Sequence, residues 1–187
     1  MSLQWNRLNK QMKYPTIVVD NFFDNPNEIV EYSKTLKYYK ADPTIRHSKW
    51  QGKRTESIHN VNRQLYDFVI SKALSYFFPI DTKKILYENT KVCFHKQGKE
   101  KGNLLNTHLH KDNDAEIAGV IYLNKGTDIK RGTTILNDDK KKKIIMASDY
   151  NTMIAYDSKN LHGASLLDKA RLTIVFFIDK ITILNNE

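Results

Sequence analysis

Two hydrophobic periodicities divide the chain near residue 85. Before it, apolar positions recur mostly at three- and four-residue intervals; after it, they fall in short blocks between turn residues, the pattern of strands. The N-terminal part opens on a strand candidate, Tyr14–Asp20, rich in β-branched residues. Asn25-Pro26-Asn27-Glu28 then predicts a helix start, with Asn25 as N-cap, Pro26 at the first helical position and Glu28 completing a capping-box-like pattern. Ile29, Tyr32, Ser33 and Leu36 continue it at helical spacing. A second helix is predicted from about Val61, where Val61, Leu65, Phe68, Val69, Lys72 and Tyr76 recur on one face and Pro79 ends the run. Between the helices lies Trp50–Thr55, with Gly52 as a turn residue.

The C-terminal part reads as Lys91–His95, Ile117–Leu123, Thr133–Leu136, Ile144–Met146, Thr152–Tyr156 and Leu172–Ile178, all strand candidates. Gly98, Gly102-Asn103, Asn124–Gly126, Asn137–Asp139 and Ser148-Asp149 separate them. Short strands with regular turns predict a sandwich, barrel or jelly roll rather than a parallel α/β sheet. The expectation is a mostly β (α+β) chain forming one domain over 1–187, with a helical N-terminal layer at 1–84 and a β-rich half at 85–187.

Composition narrows the class. A hydrophobic share of 40% over 187 residues is enough to build a core and excludes a disordered chain. No apolar run reaches the roughly 20 residues of a membrane helix, so no membrane partner is expected. Met1–Arg7 lacks the apolar stretch of a signal peptide, and a single Cys93 cannot form an internal disulfide. Together these point to the cytoplasm. The net charge of +9 includes the run Lys140–Lys143 and a cluster of Lys96, Lys99, Lys101 and Lys111. A solvated, lysine-rich surface is the plain reading, and attraction of nucleic acid, nucleotides or anionic cosubstrates is the other.

The chemistry concentrates in His110-Lys111-Asp112 and in Leu161-His162-Gly163, 52 residues beyond the first histidine. On an extended strand His110 and Asp112 face the same way, so an imidazole nitrogen and a carboxylate oxygen can converge on one metal. Two histidines and a carboxylate form the facial ligand set of non-heme Fe(II), though Mn(II), Co(II), Ni(II) and Zn(II) accept the same donors. A rival register uses His108 and His110 as an i, i+2 pair, leaving Asp112 outside the metal's ligands. Nine residues after His162, Arg171 opens the apolar run Arg171–Ile178.

With these residues in order, the chain resembles the Fe(II)/2-oxoglutarate-dependent oxygenases, and among them the prolyl-4-hydroxylase-like group, over roughly residues 90–180. The strand Val120–Asn124, the hairpin segment Gly132–Leu136, the approach Tyr156–His162 and the pair Arg171/Thr173 are similar to that family's elements. Arg131 stands where the hairpin pattern has its first Gly, and Phe94 or His95 stands where many members carry a Tyr. The resemblance implies a double-stranded β-helix (jelly roll) with the N-terminal helices packed on one sheet. It implies His110, Asp112 and His162 as catalytic iron ligands, with Arg171 binding the distal carboxylate of 2-oxoglutarate and Tyr122 and Thr173 adding hydrogen bonds. The implied activity is a dioxygenase reaction consuming O2 and 2-oxoglutarate, giving succinate and a hydroxylated substrate. Trp50 and Arg54 are the candidate substrate contacts. The substrate is open among peptidyl, nucleic-acid and small-molecule classes, the basic charge leaning towards an anionic one. Two other readings stand beside it: a non-catalytic, cupin-like metal-binding jelly roll using His108, and a basic nucleic-acid-binding module with incidental histidines.

Overall fold

The computed structural model describes residues 14–42, 44, 50, 52–78, 83–97, 109–112, 114–136, 143–165 and 170–185. His108, Pro79, the turns at Gly98, Gly102-Asn103 and Asn137–Asp139, and Lys140–Lys142 lie outside these residues.

Strands dominate the described chain, and every paired strand is antiparallel. In chain order they are β1 (Ile17–Val19), β2 (Tyr39–Lys40), β3 (Lys53–Arg54), β4 (Lys83–Glu88), β5 (Lys91–Gln97), β6 (Ile117–Tyr122), β7 (Asp128–Leu136), β8 (Lys143–Ser148), β9 (Met153–Asp157), β10 (Leu161–Ala164), β11 (Arg171–Ile178) and β12 (Lys180–Asn185). The helices are α1 (Pro26–Thr35), α2 (Ile58–Val61) and α3 (Arg63–Phe77). A seven-stranded sheet runs in the order β1-β9-β6-β11-β5-β3-β2, and a three-stranded sheet in the order β10-β7-β8, while β12 and β4 form a separate pair. The major sheet thus draws three strands from the segment read as a helical layer and four from the β-rich part. No helix among the described residues is long and apolar enough to cross a membrane.

Strand periodicity sorts the core into two clusters, because alternate side chains take opposite faces. Val92, Phe94, Ile117, Ile121, Met153, Ala155, Ile174, Phe176 and Ile178 share one buried cluster with Leu65, Tyr66, Val69, Ile70, Ala73 and Leu74 of α3. The intervening residues Cys93, Ala118, Val120, Tyr122, Ile154, Tyr156 and Val175 form a second cluster with Ile135 of the three-stranded sheet. Hence β6 is buried along its whole length, with no polar alternation. At about 25 cal/mol per Å² of apolar surface, these two interiors are the main favourable contribution to folding.

The helices depart from their predicted details. Asn25 makes no side-chain cap of α1, so the capping box does not form; the turn closes through the Glu28 amide donating to the Asn25 carbonyl at 3.1 Å. α3 is capped instead by Asn62, whose Oδ1 accepts from the Leu65 amide at 3.0 Å. The buried face of α3 is also rotated from the predicted one. Val61, Phe68 and Tyr76 are 49%, 40% and 43% exposed, because Tyr66, Ile70, Ala73 and Leu74 supply the stripe that meets the sheet. Phe68 packs at the rim, stacked on Phe23 with ring centroids 5.7 Å apart.

Candidate metal centre

His110, Asp112 and His162 come together at one end of the space between the sheets, with their ligand atoms all within 4.8 Å of one another. Backbone pairing creates the convergence. His110 and His162 form an antiparallel bridge, each amide donating to the other's carbonyl at 2.9 Å. The Asp112 amide donates to the Ser158 carbonyl at 3.1 Å, and Ser158 Oγ donates back to the Asp112 carbonyl at 3.1 Å. The turn feeding His162 is closed by Asp157, whose carbonyl accepts from the Asn160 amide at 3.0 Å and whose Oδ1 accepts from the Lys159 amide at 2.9 Å. Asp157 Oδ2 also accepts from the Tyr14 amide at 3.1 Å, tying the turn to the N-terminal segment.

The protonation pattern at His162 tests whether these residues suit a metal. Its Nδ1 lies 2.9 Å from the Asn160 carbonyl oxygen, which can only accept, so Nδ1 carries the ring proton. In the neutral ring Nε2 then turns a lone pair towards Asp112 Oδ2, 3.0 Å away. Oδ2 is buried and accepts no directed hydrogen bond, so the approach is an electrostatic one between two electron-pair donors. Such donors repel unless a cation lies between them. An imidazole oriented through its second nitrogen onto a backbone carbonyl is the usual support of a metal-binding histidine. His110 Nε2, on a more exposed side chain, stands 3.6 Å from Asp112 Oδ1. Burial acts to raise the Asp112 carboxyl; a proton on His162 Nε2, which a metal would replace, supplies the hydrogen bond and charge that with His110 and Arg54 outweigh it and hold it below its ordinary value. Two nitrogens and a carboxylate without thiolate fit Fe(II), and the donor set is complete without His108.

A row of polar side chains continues inwards from the triad. Across the inner face of the major sheet, Arg54, His95, Thr173 and Tyr122 stand directly opposite one another on β3, β5, β11 and β6. Arg171, one inward position before Thr173, is 4% exposed. Its Nη1 donates to the Gly132 carbonyl at 3.0 Å, and its guanidinium lies 5.2 Å from the Tyr122 ring centroid. Burial pushes the Arg171 guanidinium down from its ordinary value, with the Tyr122 and Tyr156 hydroxyls acting the other way. No carboxylate among the described residues pairs with it, and its Nε is buried without an acceptor. Thr173 is fully buried and its Oγ1 is likewise unpartnered. Tyr122 is fully buried and donates through its hydroxyl to Thr133 Oγ1 at 2.7 Å. An enclosed cation with unmet donors beside it is the setting for a carboxylate ligand.

Gly132 explains how β7 reaches Arg171. A Cβ at this position would overlap the Met146 carbonyl of β8, so the two backbones approach closely only with glycine there. The pairing of β7 with β8 shifts register between Asp128 and Thr133, a bulge that accommodates Arg131, whose Nε pairs with Asp128 Oδ2 at 3.0 Å. The residue standing in place of the first hairpin Gly is therefore absorbed by the bulge.

Arg54 lies close enough to the triad to contribute to the Asp112 electrostatics. The Arg54 guanidinium sits over the Trp50 ring at 4.9 Å and over the Phe177 ring at 5.5 Å. Sequence reasoning passed over Tyr156 as a site residue. Its ring is 4.7 Å from that of His162, and burial, the Asp112 charge and Tyr122 hold its hydroxyl well above the ordinary value. Its place on the inner parity of β9, two residues after Ile154, was the available signal.

No family model matches the sequence, and no curated protein matches it in sequence. Solved structures do match the fold. A 2OG-Fe(II) oxygenase family oxidoreductase from Burkholderia pseudomallei is 14% identical with a TM-score of 0.63, over 88% of this chain and 84% of that one. A prolyl-4-hydroxylase from Pseudomonas putida is 12% identical with a TM-score of 0.56, over 89% and 93%. HygX from Streptomyces hygroscopicus, solved with nickel and 2-oxoglutarate bound, is 10% identical with a TM-score of 0.59, over 95% and 87%. In fold, the chain resembles the 2-oxoglutarate/Fe(II) oxygenases and their prolyl-4-hydroxylase-like group.

Proposed function

We propose that this protein is a 2-oxoglutarate-dependent, non-heme iron dioxygenase that hydroxylates a substrate while converting 2-oxoglutarate to succinate. The observation that carries this reading is the buried Arg171, lacking any carboxylate partner among the described residues, in the same inter-sheet space as a His-Asp-His cluster. The similar fold of an enzyme solved with a divalent metal and 2-oxoglutarate supports it. In this reading the two larger sheets form a double-stranded β-helix with the helices against the outside of the major sheet. The chain works as one domain over 1–187, in the cytoplasm.

His110, Asp112 and His162 would hold Fe(II), and the bound metal with 2-oxoglutarate supplies oxygen activation for attack on a C–H bond. The rest falls to the chain's own side chains. Asn160 fixes the His162 tautomer through Nδ1, keeping Nε2 available as a ligand. Arg171 offers its guanidinium fork to the distal carboxylate of 2-oxoglutarate, and Thr173 Oγ1 adds a hydroxyl donor on the same face. Tyr122 closes the wall beside Arg171, and its hydroxyl, which donates to Thr133 Oγ1 here, would turn its proton to the carboxylate. Val120, Ile154 and Val175 line the inner face beyond, excluding water from that part of the interior. Trp50 and Arg54 contact the substrate.

The test combines anaerobic equilibrium dialysis of Fe(II) with calorimetry of 2-oxoglutarate on the metal-loaded protein. Wild type binds one metal and then 2-oxoglutarate. Asp112→Asn weakens metal binding by roughly a hundredfold or more, since even loss of a ligand's supporting contact costs 10- to 100-fold. Metal binding with no 2-oxoglutarate binding would instead favour a cupin-like metal protein. Nucleic-acid affinity that survives His110→Ala, without metal binding, would favour the basic binding module.

A further inference from the structure

Arg54 calls for an explanation that packing does not supply. It sits on the two-residue strand β3, opposite His95 and on the inner face of the major sheet. Burial pushes its guanidinium down from the ordinary value, and the neighbouring groups that oppose this are Cys93 and Asp112. Its side chain makes no hydrogen bond or ion pair among the described residues, and its Nε is buried without an acceptor. Trp50 and Phe177 give it cation–π contact but accept none of its five N–H donors. The indole Nε1 of Trp50, against which Arg54 packs, is also buried and unpartnered.

Charge counting sharpens the question, and rests on the functional reading above. Once Asp112 is committed to a divalent metal, the carboxylate nearest Arg54 is spent. The metal, Arg171 and Arg54 then carry one more positive charge than Asp112 and a bound dicarboxylate neutralise. That excess favours a second anion at the substrate end of the site. Its charge is one, since the further cation at the Trp50 ring, Lys91, is on an exposed position with its Nζ 5.7 Å away. Two oxygens in a plane match the guanidinium edge, with Trp50 Nε1 as a further donor.

We propose that Arg54, with Trp50 Nε1, receives a carboxylate group of the substrate, so that the substrate is a carboxylic acid oriented by this contact beside the metal. The Arg54 contact is distinct from the Arg171 one: Arg171 lies on β11, whereas Arg54 comes from β3, two strands away, and reaches over Phe177.

Protein loaded with Mn(II) and saturated with 2-oxoglutarate is titrated with 13C-labelled acetate, and the metal-induced carbon relaxation is read, with acetamide as the uncharged control. Wild type enhances acetate relaxation saturably and leaves acetamide at the background level. Arg54→Gln weakens acetate binding by about tenfold or more, the scale of a lost charge-assisted pair. Arg54→Lys, which keeps the charge without the planar fork, falls between them and decides the matter if the Gln variant does not fold. Calorimetric 2-oxoglutarate affinity stays within about twofold in both variants, whereas Arg171→Met loses it. Equal acetate relaxation in wild type and Arg54 variants, or an equal response to acetamide, overturns the carboxylate site while leaving 2-oxoglutarate binding intact. Failure of 2-oxoglutarate to bind wild type would sink the underlying oxygenase reading instead.

Discussion

At the scale of single residues, the buried unpaired charge of Arg171 is the most telling, because it should lower the stability of the protein before it serves a ligand. Replacing it by Met removes an enclosed cation while keeping most of its volume, and swaps of this kind are often neutral or stabilising. We therefore predict that Arg171→Met leaves the ligand-free melting temperature unchanged or higher. It should also abolish the rise in stability that 2-oxoglutarate gives the metal-loaded wild type, about 2.7 kcal/mol at a hundredfold excess over the dissociation constant. A melt with and without the cosubstrate reads both effects. Asp179, in the turn between β11 and β12, gives a pH-dependent prediction away from the site. Burial, then repulsion from Asp114, raises its carboxyl above the ordinary value. A raised carboxyl favours the protonated folded form, so its ionisation costs stability above the folded value and nothing below the unfolded value of about 4. Asp179→Asn should raise the urea midpoint at pH 7, the gain shrinking to nothing as pH falls below about 4. The triad was legible in the sequence, because ligand types and strand parity are properties of His110, Asp112 and His162 themselves. Tyr156 and the Asn160 carbonyl were not, since what they do depends on a partner fixed by the turn between β9 and β10.

At the scale of elements, the strands carry the site and the helices support it. β6, β9 and β11 were readable as apolar runs, and α1 from Pro26 and its helical spacing. β10 was missed because Leu161–Ala164 carries little alternation of its own and is held by pairing with β7; β12 was missed although Ile181 and Ile183 alternate with polar residues, the run being only six residues long. The α3 face was misread because Phe68 and Tyr76 are large apolar residues that the helix leaves half exposed at its rim. Gly132 is where element geometry meets the chemistry. Its carbonyl holds Arg171 and accepts from the Ser165 amide at 2.9 Å, while the β8 backbone presses on its Cα. Gly132→Ala should destabilise by about 1–3 kcal/mol, as overpacking does. It should weaken 2-oxoglutarate far more than metal, because the His-Asp-His cluster hangs on other backbone contacts. Denaturant titration and calorimetry separate the two, and an equal loss of both ligands would count against this division.

At the scale of the whole molecule, two interiors have different tasks. One, the cluster that α3 residues share with alternate residues of the major sheet, is apolar. The other, between the sheets, grades from Val120, Ile154 and Val175 into Arg171, Thr173 and the His-Asp-His cluster, where buried polar atoms lack partners among the described residues. The positive formal charge of the chain favours the approach of a dianionic cosubstrate to such a pocket. Strand parity, readable in the sequence, separates the two interiors; which strands become neighbours was not readable, because pairing between distant segments is decided by the closed sheet rather than by local pattern. The central claim is that the His110, Asp112 and His162 metal and the Arg171 pocket bind one cosubstrate together. The most direct measurement is an anaerobic titration of the Fe(II)-loaded protein with 2-oxoglutarate, following the visible metal-to-ligand charge-transfer absorption. Wild type is expected to show a saturable band, His110→Ala none, and Arg171→Ala a band that needs far more cosubstrate. Fe(II) bound at the triad without any such band in wild type would contradict the claim.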